Sequence, residues 1–211
     1  MIRGTMTSIL KADDIQDSSG NNIINESGDT ITIGASGDTI TIPSGATLSN
    51  LGTASGFGGL AGMDMWRQTA DTSSNAQPIT ANWEQVDTNN FAGIGTAFSA
   101  PSSGVWTFPS TGIWEVEFEV HLTNTGGDTV ANSAIQITIN NGSAWAIACY
   151  SQAGVSGEDF KANFTARVIV DVTDTANVKF KLDIDNLNGS TMSGNTSNNQ
   201  TYVIMKKLGE T

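Results

Sequence analysis

Hydrophobic and polar residues alternate along much of this chain with the period of two that is typical of β-strands. The clearest case spans residues 113–122, where Trp114, Val116, Phe118, Val120 and Leu122 alternate with Glu115, Glu117, Glu119 and His121. The pattern predicts a strand with one face toward a hydrophobic core. Its other face is acidic, so we expect that face to meet water or basic partners.

Further strand candidates are separated by short turns. They span residues 91–98, 105–108, 134–139, 144–150, 164–172, 177–184 and 201–208. Asn140, Asn141 and Gly142 predict a hairpin turn, because Asn and Gly tolerate the positive φ that tight hairpins need. A long polar loop is predicted at residues 186–200. Strands at this spacing, without helical periodicity, predict an all-β antiparallel sandwich or jelly roll rather than a parallel α/β fold.

The sequence SGDTITI occurs twice near the amino end, at residues 27–33 and 36–42. Each copy predicts a short strand with an Ile face and a Thr face. Two such strands cannot bury their Ile row alone. We therefore expect Ile31, Ile33, Ile40 and Ile42 to pack against other copies of the chain in a trimer stalk. The alternative is that both copies are strands of an ordinary sheet packed on the rest of the chain.

Composition divides the chain into two parts. Residues 1–62 hold a leader, the two repeats and a connector at 44–62 that is rich in Gly, Ser and Ala. Such a composition is typical of linkers. Residues 63–211 contain the strand candidates listed above. The sequence thus predicts an N-terminal stalk segment at 1–62 and a β-domain at 63–211.

Charge and hydropathy exclude several partners. The chain has 21 acidic and 9 basic residues and a net charge of −12, whereas binding to nucleic-acid phosphates needs clustered Lys and Arg. We find no run of about 20 apolar residues and no secretory signal. We therefore expect no nucleic-acid partner, no membrane insertion and synthesis in a cytoplasm.

Two stretches resemble known families. The leader and repeats, SILKADDIQDSSGNNIINESGDTITIGASGDTITIPSGAT, resemble the N-terminal segments of virion fibre and appendage proteins of marine tailed bacteriophages, especially those that infect cyanobacteria. Further along, Phe108-Pro109-x-x-Gly112-Ile113-Trp114 and the following alternation are similar to a strand signature of C1q/TNF-like jelly rolls. Thr201-Tyr202-Val203-Ile204 is similar to the last strand of that family.

The resemblance implies a homotrimer in a virion, with a stalk and a C1q/TNF-like jelly-roll knob. Its partners would be other virion proteins and a host cell-surface polysaccharide or protein. The alternative is a capsid decoration or adaptor protein without host contact. Candidate contact loops span residues 123–130, 152–159 and 186–200. Candidate receptor-contact residues are Trp66, Trp83, Asn124, Thr125, Asp128, Asn188, Ser190 and Asn195.

Exposed tryptophan side chains are candidate ligand contacts, because an indole can stack on a sugar ring. Trp106, Trp114 and Trp145 alternate with apolar neighbours, which predicts core positions. Trp66 and Trp83 lie in more polar surroundings, so they are the candidates for ligand contact.

Catalytic chemistry has few candidates. The single histidine, His121, is predicted to be exposed, and the single cysteine, Cys149, is predicted to be a buried structural thiol. We expect no enzyme activity and no cofactor. Glu115, Glu117 and Glu119 have the spacing of a glycosidase carboxylate pair, which leaves a polysaccharide depolymerase as a minor alternative. The C1q-like resemblance also implies a candidate calcium site. No EF-hand spacing is present, and the candidate ligands are Asp171, Asp174, Asp183 and Asp185.

Overall fold

A computed structural model gives the architecture of the chain. It describes residues 14–16, 18–20, 22–27, 30–34, 36–47, 60–88, 90–124, 126, 130–154 and 159–211. These residues form strands and turns, and none of them lies in a helix. Within this part of the chain there is consequently no helix that could cross a membrane. Backbone contacts divide the protein into an N-terminal unit, Met1–Ser55, and a C-terminal unit, Gly56–Thr211.

The N-terminal unit contains a small antiparallel sheet. Its strands are β1 (Asp14–Gln16), β2 (Asn22–Ser27) and β3 (Thr30–Ile33), in the order β1-β2-β3. Strand β3 is the first SGDTITI copy, and it pairs with β2 so that Ile33 lies opposite Ile24. The second copy is described throughout but carries no strand. The prediction of two repeat strands was therefore wrong for residues 36–42: β2 pairs with β1 and with the first copy, and no described strand pairs with the second copy.

The described residues of the C-terminal unit form ten strands. They are β4 (Gly62–Gln68), β5 (Trp83–Gln85), β6 (Val105–Thr107), β7 (Gly112–Asn124), β8 (Val130–Thr138), β9 (Ala146–Gly154), β10 (Lys161–Val172), β11 (Lys179–Asp185), β12 (Ser190–Met192) and β13 (Tyr202–Gly209). A six-stranded sheet has the order β10-β7-β13-β4-β5, with β12 also paired to β7. A four-stranded sheet has the order β6-β11-β8-β9. All the strand pairs are antiparallel.

The hydrophobic core consists largely of the inward faces of these two sheets. The alternation predicted for residues 113–122 is confirmed, since Trp114, Val116, Phe118, Val120 and Leu122 are fully buried. Across from them the four-stranded sheet buries Trp106 and Phe180, whose rings stack with centroids 5.7 Å apart. Phe98 lies edge-on to Trp114 at 5.3 Å. Aromatic burial of this extent is a large part of what stabilises a sandwich.

Three local predictions can be compared with the structure. The turn at Asn141 and Gly142 is confirmed, and these residues have φ values of 55° and 88°. Residues 91–98 do not form a strand; Ile94 makes only an isolated bridge to Met63. The glycines beside Ile94 explain the difference, because Gly95 takes a φ of +72° that interrupts an extended strand. The predicted loop at 186–200 contains the short strand β12.

Cys149 also departs from its prediction. It is half-buried rather than buried, and it lies on β9, an outer strand of the four-stranded sheet. Its Sγ accepts a hydrogen bond from the backbone N–H of Arg167 on β10, at 3.3 Å. Cys149 therefore helps to join the two sheets where their end strands, β9 and β10, meet.

Candidate functional site

The acidic side chains of β7 form ion pairs and a hydrogen bond with side chains of the neighbouring strands β10 and β13. Lys206 Nζ lies 3.0 Å from Glu115 Oε1, and Arg167 Nε lies 3.0 Å from Glu117 Oε2. Thr165 donates a hydrogen bond to Glu119. The basic partners expected for this face thus come from the chain itself, and these carboxylates are engaged with β10 and β13. We call this side of the six-stranded sheet, which points away from the core, the outer face.

His121 lies on the same face but is not exposed as predicted. It is half-buried, and its Nδ1 is buried without a hydrogen-bond partner among the described residues. The difference arises because the segment after β12 covers this end of β7: the N–H of Ser193 donates to the carbonyl oxygen of His121 at 2.9 Å.

Trp66 and Trp83 do not present an indole face to a ligand, so this prediction was wrong. Trp66 is buried on β4, with its ring edge-on to Trp106 at 5.4 Å. Trp83 on β5 is half-buried and packs against both Trp106 and Phe118. Two further strands at residues 62–68 and 83–85 place both indoles against the core.

Some of the residues predicted to contact a receptor from the loops are buried in the fold. Asn124 and Ser190 are buried, which corrects their assignment as receptor contacts. They face each other as a pair in the β7–β12 ladder. Asn188 is exposed, and Asn195 is half-buried and accepts hydrogen bonds from the N–H groups of Ser197 and Asn198. Thr125 and Asp128 lie outside the described residues.

A cleft on the four-stranded sheet was not predicted from the sequence. It has a volume of about 440 Å³ and is lined by Ser102, Val105, Thr107, Asn141, Gly142, Trp145, Lys179 and Lys181. Trp145 was predicted to be a core residue, but it is half-buried and forms part of this surface. The prediction failed because the hairpin turn before β9 carries Trp145 out of the strand alternation.

Strand register brings the two lysines of this cleft together. Lys179 lies opposite Thr107, and Lys181 lies opposite Val105, in the β6–β11 ladder. Because side chains alternate along a strand, Lys179 and Lys181 share one face while Phe180 enters the core. Lys181 Nζ lies 4.0 Å from the centroid of the Trp145 ring, and Lys179 Nζ donates to Asn141 Oδ1 at 2.5 Å.

Asp183 follows the two lysines along β11 and is buried. Gln136 Nε2 donates a hydrogen bond to its Oδ2, whereas its Oδ1 has no hydrogen-bond partner in the described part of the chain. Burial raises the pKa of the Asp183 carboxyl above its ordinary value of 3.8, and the Gln136 hydrogen bond and the nearby charge of Lys181 oppose that rise. The net direction is upward because removal from water disfavours the charged carboxylate.

The candidate calcium ligands are not brought together. Across the described residues there is no group of three or more His, Cys, Asp or Glu side chains that could hold a metal ion. Asp174 instead organises a turn, where its two carboxylate oxygens accept hydrogen bonds from the Ala176 N–H and from Asn177 Nδ2.

The four repeat isoleucines are exposed. Within one chain Ile31 is 68%, Ile33 57%, Ile40 60% and Ile42 50% exposed. The structure therefore leaves both Ile pairs available for contact with another surface, as the stalk prediction requires.

A second exposed apolar strip lies on the C-terminal unit. Ile147 and Tyr150 of β9 are 61% and 52% exposed, and Ile169 of β10 is 62% exposed. Strands β9 and β10 are end strands of their sheets and lie against each other, as the Cys149 contact indicates. Ile147 and Tyr150 lie opposite Gln136 and Ala134 in the β8–β9 ladder and share one face of the four-stranded sheet. Ile169 lies opposite Glu115 and therefore belongs to the outer face of the six-stranded sheet. We call Ile147 and Tyr150 the edge strip.

Comparison with known proteins establishes the fold. The structure of Eiger TNF from S. frugiperda matches with a TM-score of 0.50 and 9% sequence identity, over 71% of this chain and 93% of that chain. The crystal structure of murine APRIL at pH 8.5 gives a TM-score of 0.49 and 11% identity, over 70% of this chain and 98% of that chain. No protein-family model matches the sequence, and no curated protein matches it. The chain contains a TNF-like jelly roll, which confirms the predicted all-β, antiparallel fold class.

Proposed function

We propose that this protein is a homotrimeric fibre or appendage protein of a bacteriophage virion, with a jelly-roll knob that contacts the host cell surface. The observation that carries the proposal is the exposure of all four repeat isoleucines in a single chain. It is supported by the resemblance of the surrounding N-terminal sequence to phage fibre segments and by the jelly roll in the same chain.

The exposed isoleucines supply a driving force for assembly. Complete burial of one Ile side chain contributes about 1.5–3 kcal/mol. Four residues that are each half or more exposed, repeated in three chains, would offset the cost of bringing the chains together. An isolated chain has no comparable gain, so self-association is the expected way to cover these side chains.

The C-terminal unit offers a second exposed apolar surface. Its edge strip is apolar, and the outer face of its six-stranded sheet presents the half-buried side chains of Met63, Met65 and Ile204. Met65 and Ile204 are partners in the β4–β13 ladder. An edge strip on one copy that packs on the outer face of the next makes a head-to-tail interface, and such an interface closes into a ring when the rotation is threefold.

A trimeric knob would bind a repetitive cell surface through several weak contacts at once. Three equivalent sites on one particle increase avidity without any change in the individual contact. We propose host surface polysaccharide or protein as one partner and other virion proteins as the partners of the N-terminal segment. Assembly into the virion would follow synthesis in the host cytoplasm, and the role is structural rather than enzymatic.

The test is adhesion of the purified full-length protein to host cells. The proposal predicts saturable binding that isolated surface polysaccharide or protease treatment of the cells removes. Binding only to virions that lack the protein would instead assign it as a capsid decoration or adaptor protein. Release of reducing ends from the polysaccharide would assign it as a depolymerase, and either result would contradict the proposal.

A further inference from the structure

We propose that the cleft formed by Trp145, Lys179 and Lys181 binds an acidic saccharide, a sugar ring that carries a carboxylate or a sulfate. The inference rests on the host-contact function proposed above for the source of the saccharide. The binding chemistry itself is argued from the cleft alone.

The first argument is charge. Lys179 and Lys181 are two residues apart on one face of β11, so their Cα atoms lie about 7 Å from each other. Neither lysine forms an ion pair in the described part of the chain, and no acidic residue lines the cleft. In a protein with 21 acidic and 9 basic residues, this is a local concentration of positive charge.

The carboxyl group that follows the two lysines along β11 forms no ion pair with them. Asp183 is the next residue on the same face of β11, but it is buried beside Gln136 rather than paired with a lysine. The two ammonium groups are instead positioned by neutral partners, the Asn141 amide oxygen and the Trp145 ring. An incoming carboxylate or sulfate would therefore meet two positioned cations with no competing anion in the cleft.

The second argument is shape and polarity. The indole of Trp145 lies close to the backbone of Gly142, where an added Cβ would be 3.6 Å from Cζ2. Trp145 and Val105 supply apolar surface, and Ser102, Thr107 and Asn141 supply hydroxyl and amide groups at the same site. An aromatic ring with hydroxyl and amide groups beside it offers both the stacking surface and the hydrogen bonds that a sugar ring needs. A volume of about 440 Å³ is within the range of small-ligand sites.

The whole-chain charge limits the class of ligand. A net charge of −12 repels long, densely charged polyanions such as nucleic acids. A saccharide with one charge on each repeat unit can place that charge between Lys179 and Lys181 while its other rings remain outside. The favoured ligand is thus a sparsely charged polysaccharide.

The test uses the full-length protein and defined oligosaccharides in isothermal titration calorimetry. The probes are a glucuronate-containing oligosaccharide, the same compound with its carboxyl groups reduced, and a sulfated galactan oligosaccharide. We expect the glucuronate or the sulfated probe to bind, and the two arms identify which anion is preferred. The reduced compound should bind at least about tenfold more weakly, and higher salt should weaken the binding of the charged probe.

Variants locate the site. Trp145→Ala and the double variant Lys179→Ala with Lys181→Ala should each lower the affinity by about tenfold or more, a change that corresponds to about 1.4 kcal/mol. Lys161→Ala removes an exposed lysine of β10 outside the cleft and should stay within about twofold of the unmodified protein. Trp145→Phe keeps an aromatic ring and should retain part of the affinity, which separates loss of stacking from loss of folding.

Three results would overturn the inference: equal affinity for the reduced and unreduced compounds, no binding of any charged probe, or equal losses in the cleft variants and in Lys161→Ala. Host-cell adhesion is measured in parallel to keep the two proposals separate. Adhesion that Trp145→Ala leaves unchanged contradicts the cleft as the site of host contact and not the host-contact function. Oligosaccharide binding without adhesion contradicts the host-contact function and not the cleft.

Discussion

The guanidinium of Arg67 is fully buried, yet it lies 3.0 Å from the carboxylate of Asp87, whose side chain is 73% exposed. Arg67 is on β4, and its Nε also donates to Glu84 of β5 at 2.9 Å, while Nη1 donates to Thr88 Oγ1 at 2.8 Å. One side chain therefore connects β4, β5 and the loop that follows. These are elements that the sequence analysis did not identify as strands.

Replacement of Arg67 should strongly destabilise the C-terminal unit. Arg67→Ala would leave Glu84 and Thr88 without their buried donor, at a cost of about 3 kcal/mol in the free energy of unfolding. Arg67→Lys should recover only part of this, because an ammonium cannot reproduce the fork of guanidinium donors. Denaturant unfolding measures both changes.

Arg167→Ala is the matched control for that experiment. Arg167 pairs with Glu117 on the outer face, but its side chain is 60% exposed, so its loss should cost less than about 1 kcal/mol. Equal destabilisation by the two alanine variants would show that the burial of Arg67 does not determine its contribution to the free energy of unfolding.

Asp183 should make stability depend on pH. Its pKa is raised in the folded protein by burial, so the folded state holds the carboxyl proton more tightly than the unfolded chain does. This contribution is fully present below the ordinary value of 3.8 and is lost as the pH rises through the folded pKa. Asp183→Asn has no carboxyl at this position and should not lose stability in this way as the pH rises. The free energy of unfolding of the variant, relative to that of the unmodified protein, should therefore increase from acidic to neutral pH.

The measurement is the free energy of unfolding of both proteins at several pH values from about 3 to 7. Asp174→Asn serves as a control, because Asp174 is exposed in a turn and no comparable burial acts on it. A stability difference between Asp183→Asn and the unmodified protein that is constant with pH would contradict the argument.

The edge strip and the outer face should both be required for assembly. Tyr150→Lys on the edge strip and Ile204→Lys on the outer face would each place a charge in the proposed interface. We expect each substitution to shift the protein toward the monomer in sedimentation analysis. Ile139→Lys changes an even more exposed isoleucine in the β8–β9 turn, away from this interface, and should leave the oligomeric state unchanged.

The repeat isoleucines should contribute to the same assembly. A variant with Ile31, Ile33, Ile40 and Ile42 all changed to Thr should dissociate at a protein concentration at least about tenfold higher than the unmodified protein does. Changing Thr32 and Thr41 to Ala modifies the same two repeats and should have little effect. A concentration series in mass photometry distinguishes the two variants, and identical dissociation would exclude a role for the Ile rows.

The sequence predicted the fold well where alternation was regular. The β7 pattern from Trp114 to Leu122 has a strict period of two, and the same residues form the core because both faces of that strand have uniform environments. Strand β4 was not recognised, since it buries polar residues as well: Asp64 and Arg67 are inside the fold. Some of their hydrogen-bond partners lie far along the chain, such as Phe98 for Asp64 and Glu84 for Arg67, so local sequence does not reveal that these polar groups are satisfied there.

The candidate site was harder to predict for a related reason. Trp66 and Trp145 were assigned from the polarity of their sequence neighbours, and the structure reverses both assignments. The cleft depends on the register between β6 and β11 and on the direction of the hairpin that carries Trp145. Both are long-range properties, and the alternation of a single strand does not contain them.

Native mass spectrometry of the full-length protein tests the central claim most directly. One chain has a mass of 22.0 kDa, so a homotrimer has three times that mass, about 66 kDa. The account predicts this trimer at micromolar protein concentration and its partial loss in the Tyr150→Lys variant. A species of 22.0 kDa alone at the same concentration would contradict the proposed assembly.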